Sequence, residues 1–163
     1  TRLAINHDGY VNSHGLTHTR VLHLGFNGRA LRGEDALAAL DTQAQKRFDL
    51  AFDRSKLKGI PFALRFHLHP DVDATLDMNG TAVSMALKSG EIWILRYRGD
   101  ATMTLEQSVY LEKSRLSPRA TKQVVLSGNA MEYSTRVSWS LAKAQETPSA
   151  VRDYAMDSIL ATN

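Results

Sequence analysis

His67 and His69 stand one residue apart, and Asp73 follows four residues later. On a strand, residues i and i+2 project from one face. Two imidazoles and a nearby carboxylate can together hold a metal such as iron, which makes His67, His69 and Asp73 metal-ligand candidates. Arg65 shares their parity, so the same row also reads as a polar strand face paired with side chains on neighbouring strands. A second set is His7, His14, His18 and His23 with Tyr10. His7 and Tyr10 are candidates for general acid–base work. His14 and His18 can converge, whereas His18 and His23 fall on opposite faces of one strand. A third set is cationic. Lys113, Arg115, Arg119 and Lys122 surround Pro118, and Arg65, Arg96 and Arg98 lie on strand-like stretches. Guanidinium groups suit carboxylate and sulfate. Arg65, Arg96 and Arg98, with the aromatic ring of Tyr97, are therefore candidates for binding an anionic substrate. The same cations read equally as a solvated edge that discourages sheet-to-sheet association. No Ser/His/Asp arrangement, phosphate loop or dinucleotide-binding glycine pattern occurs.

The elements that must position these residues are strands. In Ile60–Pro70, Phe62, Leu64, Phe66 and Leu68 share one parity and Arg65, His67 and His69 the other. That is a half-buried strand stopped by Pro70. Residues 2–14 read as strand around a turn or bulge at His7-Asp8-Gly9, and residues 16–24 as a second strand. Asn27-Gly28 is a hairpin signal, with residues 30–37 returning. Residues 38–58 are charged and lack period 2, which predicts a long loop with one helical turn at most. Further strands are expected at 72–78, 82–87, 91–98, 102–111, 121–126 and 135–141. Asn79-Gly80, Ser89-Gly90, Gly99-Asp100, Pro118 and Ser127-Gly128-Asn129 separate them. Roughly ten short strands with turn chemistry between them, and no amphipathic helices, predict an all-β antiparallel sandwich. The domain spans residues 1–141, and 142–163 form a tail, loose or short-helical.

With 163 residues, 43% hydrophobic and 23% charged, the chain has an ordinary globular composition. No apolar run nears the ~20 residues of a membrane helix, so no membrane partner is expected. A net charge of +3 is mildly basic. No basic run or motif points to nucleic acid. Without cysteine, disulfides, thiolate chemistry and Cys-ligated zinc are excluded. The chain has no N-terminal signal segment and no initiating methionine, which predicts a piece of a longer or processed protein.

Two resemblances follow from these residues. His67-x-His69 with Asp73 and Gly80 is similar to the first motif of the cupins. It departs from that motif in having Asp where Glu is usual, in lacking the preceding glycine, and in having no histidine after His69. A broader resemblance covers residues 5–141. His7-Asp8-Gly9-Tyr10, Gly15 through Arg20, Leu31 through Asp35, Arg65 through Pro70, Gly90 through Trp93, Glu106 through Tyr110 and Gln123 through Leu126 run in the order of the heparinase II/III-like family. They resemble its C-terminal β-domain.

That resemblance implies a supersandwich-like β-domain packed on an N-terminal (α/α) toroid, in a bacterial polysaccharide lyase that cleaves uronic-acid glycans, including glycosaminoglycans, by β-elimination. It implies an acidic polysaccharide and the toroid as partners, and it is compatible with a periplasmic setting. Family members hold a structural zinc in some cases. The family's catalytic Tyr and His and its zinc ligands belong to motifs upstream of His7. The resemblance therefore transfers no catalytic residue and no cofactor to this chain, whose expected role is a structural one as a cleft wall. The alternatives are a stand-alone carbohydrate-binding sandwich and a cupin-like metal enzyme built on His67, His69 and Asp73.

Overall fold

Alternation dictates two sheets. In the computed structural model, which describes residues 1–113 and 117–144, ten antiparallel strands form a seven-stranded and a three-stranded sheet. The large sheet has the order β1 (Arg2–Tyr10), β2 (Leu16–Leu24), β3 (Ala30–Ala38), β10 (Ser134–Lys143), β7 (Ile92–Arg98), β6 (Ala82–Leu87), β5 (Val72–Asp77). The small one has the order β4 (Ile60–His67), β9 (Arg119–Ala130), β8 (Thr102–Tyr110). The expected antiparallel sandwich is what the chain forms.

The core lies between the sheets. Ala74, Val83, Met85, Leu95, Val137 and Trp139 of the large sheet meet Met103, Val124 and Leu126 of the small one. Phe62, Leu64, Phe66 and Leu68 pack against them, as their parity requires. Three strands cannot cover seven. The overhang is β1, β2 and part of β3, where Leu3 and Ile5 remain about half exposed. One end of this wing is closed by helix α2 (Thr42–Arg54), whose Ala44 and Phe48 pack with Leu16, Ala39, Ile60 and Ala130.

That helix replaces the long loop expected over 38–58. Asp41 caps it, accepting from the Ala44 backbone N–H at 2.8 Å. Only Ala44 and Phe48 are fully buried, so its apolar stripe is narrow and charge dominates its sequence. A second short helical turn, α1 (Val11–His14), ends the first strand earlier than the expected residue 14. Its cap, Gly15, has φ +70°, and an added Cβ would stand 2.0 Å from the Ala44 carbonyl oxygen. Glycine is the residue that lets α1 lie against α2 here.

The expected break at Ser127-Gly128-Asn129 is absent. These residues continue β9 and pair with Ala63, Phe62 and Pro61 of β4. A Cβ on Gly128 would meet the Asp100 carbonyl at 2.4 Å and the Phe62 ring at 2.8 Å. The glycine marks a close approach, not a turn. β10 extends to Lys143, two residues past the expected boundary at 141. The tail expected to be loose or short-helical falls, from residue 145 on, outside the described residues.

Candidate active-site cleft

Where the small sheet stops short of β1 and β2, a cleft of about 330 Å³ opens between the wing and the edge strand β4. Its floor is the inner face of β2 and β3. Leu16, His18, Arg20 and Leu22 alternate on β2, as do Leu31, Gly33, Asp35 and Leu37 on β3. The pairing sets Ile5, Arg20, Asp35 and Val137 in one cross-strand row, and His7, His18 and Leu37 in the next.

Asp35 is the centre. It is only 4% exposed, and a buried carboxylate requires partners. His18 Nε2 lies 2.7 Å from its Oδ1, and Arg20 Nε donates to the same oxygen at 2.7 Å. The Trp139 indole N–H donates to Oδ2 at 2.8 Å. One carboxylate thus fixes three side chains from β2 and β10. Trp139 can reach under it because Gly33, its cross-strand partner, has no side chain. A Cβ there would stand 2.2 Å from the indole ring. Phe66 of β4 packs edge-on against the same indole, 4.9 Å between centroids.

Above this floor, His7 lies edge-on to both His18 and Tyr10, each 5.0 Å between ring centroids. The Gly9 N–H donates to His7 Nδ1 at 3.2 Å, made possible by the register shift between His7 and Tyr10. His14 also lines the cleft, bonded through Nδ1 to Ser13 Oγ at 2.7 Å. The structure therefore brings together His7, Tyr10, His14 and His18, as the histidine reading allowed, and adds Arg20 and Asp35, which that reading did not single out. Asp35 was detectable: its parity with Leu31 and Leu37 puts a carboxylate on a buried face. The chemistry available is proton transfer by an imidazole oriented by a carboxylate, beside an arginine suited to an anionic group.

The other candidates disperse. His67 Nδ1 bonds Ser108 Oγ at 2.9 Å. His69 Nδ1 accepts from the Asp71 N–H at 3.2 Å and its ring meets Tyr110. Asp73 is 84% exposed at its side chain, with Lys122 at 3.9 Å. His69 lies beyond the end of β4, so the i, i+2 alignment on which the metal reading rests does not hold. Among the described residues no group of three or more His, Asp or Glu is placed to hold a metal. Among the described residues, His67, His69 and Asp73 therefore do not form the expected cupin-like cluster.

Tyr97 turns into the core, its hydroxyl donating to the Ala101 carbonyl at 2.9 Å, and cannot stack on a ligand. Arg96 and Arg98 have the opposite parity and lie on the outer face of the large sheet, apart from Arg65. Arg65 borders the cleft and meets Glu106 at 3.4 Å. Around Pro118, Arg119 is taken up by Asp71 at 2.9 Å and Glu112 at 3.5 Å, and Lys122 donates to the Ala74 carbonyl at 2.8 Å. Asp71 is held below the ordinary carboxylate range, first by its hydrogen bond from Lys88 and then by that from Arg119. Arg115 lies outside the described residues.

Comparison with known proteins places this geometry. The family described as "Heparinase II/III-like, C-terminal" matches residues 1–140. FtsZ-localized protein C of Caulobacter vibrioides is 35% identical over 146 residues, covering 88% of this chain and 23% of that protein. Among solved structures, the heparan sulfate lyase HepC from Pedobacter heparinus superposes with a TM-score of 0.64 at 10% identity, over 90% of this chain and 20% of that one. A heparinase III structure superposes with a TM-score of 0.63 at 13% identity, over 87% of this chain and 19% of that one. These structures share the fold, and the chain spans about a fifth to a quarter of the length of each of these relatives. On the match over residues 1–140, the chain belongs to the heparinase II/III-like family as its C-terminal domain.

Proposed function

We propose that this chain is the β-domain of a polysaccharide lyase and forms one wall of the cleft that holds an acidic glycan for β-elimination. The observation that carries the reading is the Asp35-centred cleft, which is open on the side where the small sheet ends. Elimination requires removal of the proton at C5 of a uronate, neutralisation of the adjacent carboxylate, and a proton for the leaving oxygen at C4. Arg20, fixed by Asp35, supplies a positive group for the substrate carboxylate. His18, oriented by the same aspartate, and His7 and Tyr10 at the mouth supply polar contacts to the sugar. The catalytic Tyr and His come from an upstream (α/α) toroid, and the wing with its half-exposed Leu3 and Ile5 is the surface on which that toroid rests.

The test is a paired lyase assay that follows the unsaturated uronate product over heparin, heparan sulfate and alginate. One sample is the 163-residue chain and the other is the protein extended upstream to its natural start. Activity in the longer protein only, abolished by Arg20→Ala, is the expected result. Activity in the short chain alone overturns the cleft-wall role and makes His7 and Tyr10 catalytic. The same open cleft also suits a second reading, a carbohydrate-binding sandwich without lyase activity. Binding without product in both samples would select it.

A further inference from the structure

The outer face of the large sheet carries a row that the cleft does not use. Register places Arg2 opposite His23, His23 opposite Arg32, Arg32 opposite Ser140, and Ser140 opposite Arg96. These five residues, from β1, β2, β3, β10 and β7, form one line perpendicular to the strands. At ~4.8 Å per strand the line is about 19 Å long. Arg98 stands two residues along β7 from Arg96, opposite Ser138. Together they line a shallow trough of about 820 Å³ whose floor is made of the small side chains Ser138 and Ser140. Its one carboxylate, Glu34, is engaged by Arg136 at 3.4 Å. Among the described residues, Arg2, Arg32, Arg96 and Arg98 have no carboxylate partner. Cations on a sheet usually meet acids on the adjacent strand. Here the neighbours across the ladder are His23, Ser138, Ser140 and Ala82, none of them acidic, so the charge is left for something else.

We infer that this trough binds a linear anionic polysaccharide, sulfated or carboxylated, lying across the strands. A straight file of three guanidinium groups, spaced by the His23 imidazole and the Ser140 hydroxyl, matches regularly spaced anions on an extended polymer, and arginine donates to sulfate and carboxylate in pairs. A folded protein partner would need an apolar centre to its interface, and the centre of this trough is serine. The surface lies on the opposite side of the sheet from the Asp35 cleft. The inference does not rest on lyase activity, and a chain that never cleaves a glycan carries the trough all the same.

The experiment is a calorimetric titration of the 163-residue chain with size-defined heparin at several salt concentrations. Arg32→Gln/Arg96→Gln/Arg98→Gln is expected to weaken binding about tenfold or more. It should also lower the slope of log affinity against log salt by about one per charge removed, as in other polyanion binding. All three side chains are exposed, and matching thermal melts verify that the fold survives. Ser140→Asp, which sets a carboxylate between Arg32 and Arg96, is expected to weaken binding in the same direction. Lys46→Gln removes an exposed cation on α2, outside the trough, and is expected to leave heparin affinity unchanged. Wild-type affinity in the triple variant, or an equal loss in Lys46→Gln, overturns the assignment to the outer face. Equal affinity for poly-L-glutamate at the same residues overturns the polysaccharide and makes the ligand an acidic polypeptide.

Discussion

Two rows of histidine and arginine lie on adjacent parts of this molecule, and they end in opposite ways. On β4, Arg65 and His67 occupy one outward face, with His69 just beyond, and each finds a nearby surface partner: Glu106, Ser108 and Asp71. On β2, His18 and Arg20 occupy an inward face, and both bond one buried carboxylate. The sequence spacing is the same in both cases. What differs is the neighbouring strand. β9 offers Val125 and Gln123 opposite Arg65 and His67, whereas β3 offers Asp35 opposite Arg20. A period-2 row becomes a site when the adjoining strand buries a charge that the row must satisfy.

The comparison breaks most severely if Asp35 is removed. Asp35→Ala leaves Arg20, His18 and the Trp139 N–H without their acceptor. Breaking a buried pair costs about 3–5 kcal/mol, and Arg20, at 29% exposure, recovers some water and sets the value near 3. Urea unfolding of the variant against the parent measures it, and a loss below 1 kcal/mol would mean that Asp35 does not organise the wing. Gly33→Ala comes next. The new Cβ would collide with the indole that donates to Asp35, and overpacking of this kind costs about 1–3 kcal/mol. A melt shifted downward, with altered tryptophan emission, is expected.

The surface side of the comparison is sharpened by pH. The carboxyl of Asp71 titrates below its ordinary value of 3.8 in the folded protein, so its contribution is complete above that value and is lost as the pH falls through the lowered one. Asp71→Asn is therefore expected to lower the melting temperature at neutral pH, and the gap between variant and parent should close below about pH 3.8. A gap that is constant with pH would show that the Lys88 and Arg119 contacts contribute nothing. The smallest effect belongs to the β4 row. His67→Ala is expected to change stability by less than about 0.5 kcal/mol, as exposed substitutions do. Zinc added to the parent chain should leave its melt unmoved, and a zinc-dependent rise lost in His67→Ala would restore the metal reading.

Much of the sandwich was legible because strands that are half buried advertise it. The alternation of Phe62, Leu64, Phe66 and Leu68 marks β4, although that strand ends at His67, short of the expected stop at Pro70, and hairpin signals such as Asn27-Gly28 and Asn79-Gly80 help place β2, β3, β5, β6 and β7 to within a residue. Helix α2 was not legible, since its buried stripe is little more than Ala44 and Phe48 inside a charged stretch. The capping aspartate at 41, three residues before Ala44, was the signal available. Gly128 misled for a different reason: glycine chosen for lack of a side chain looks in sequence like glycine chosen for a turn. The cleft was half legible. His7, Tyr10, His14 and His18 announce themselves by residue type, but their convergence depends on β1 and β3 flanking β2, and on β4 ending the small sheet beside them. Pairing across long sequence separations is not written in any local pattern. The family resemblance supplied the domain and its order, and the register supplied the carboxylate.

The bond from Trp139 to Asp35 has an optical consequence. The chain contains only two tryptophans, and the indole of one donates its N–H to the carboxylate beneath the cleft. Charge arriving near Arg20 alters the field along that N–H, and the emission of a buried indole follows the field it sits in. The molecule thus carries a built-in fluorophore wired to the floor of its own cleft, with Trp93, held near Glu91 farther along the same inner face, as the internal reference.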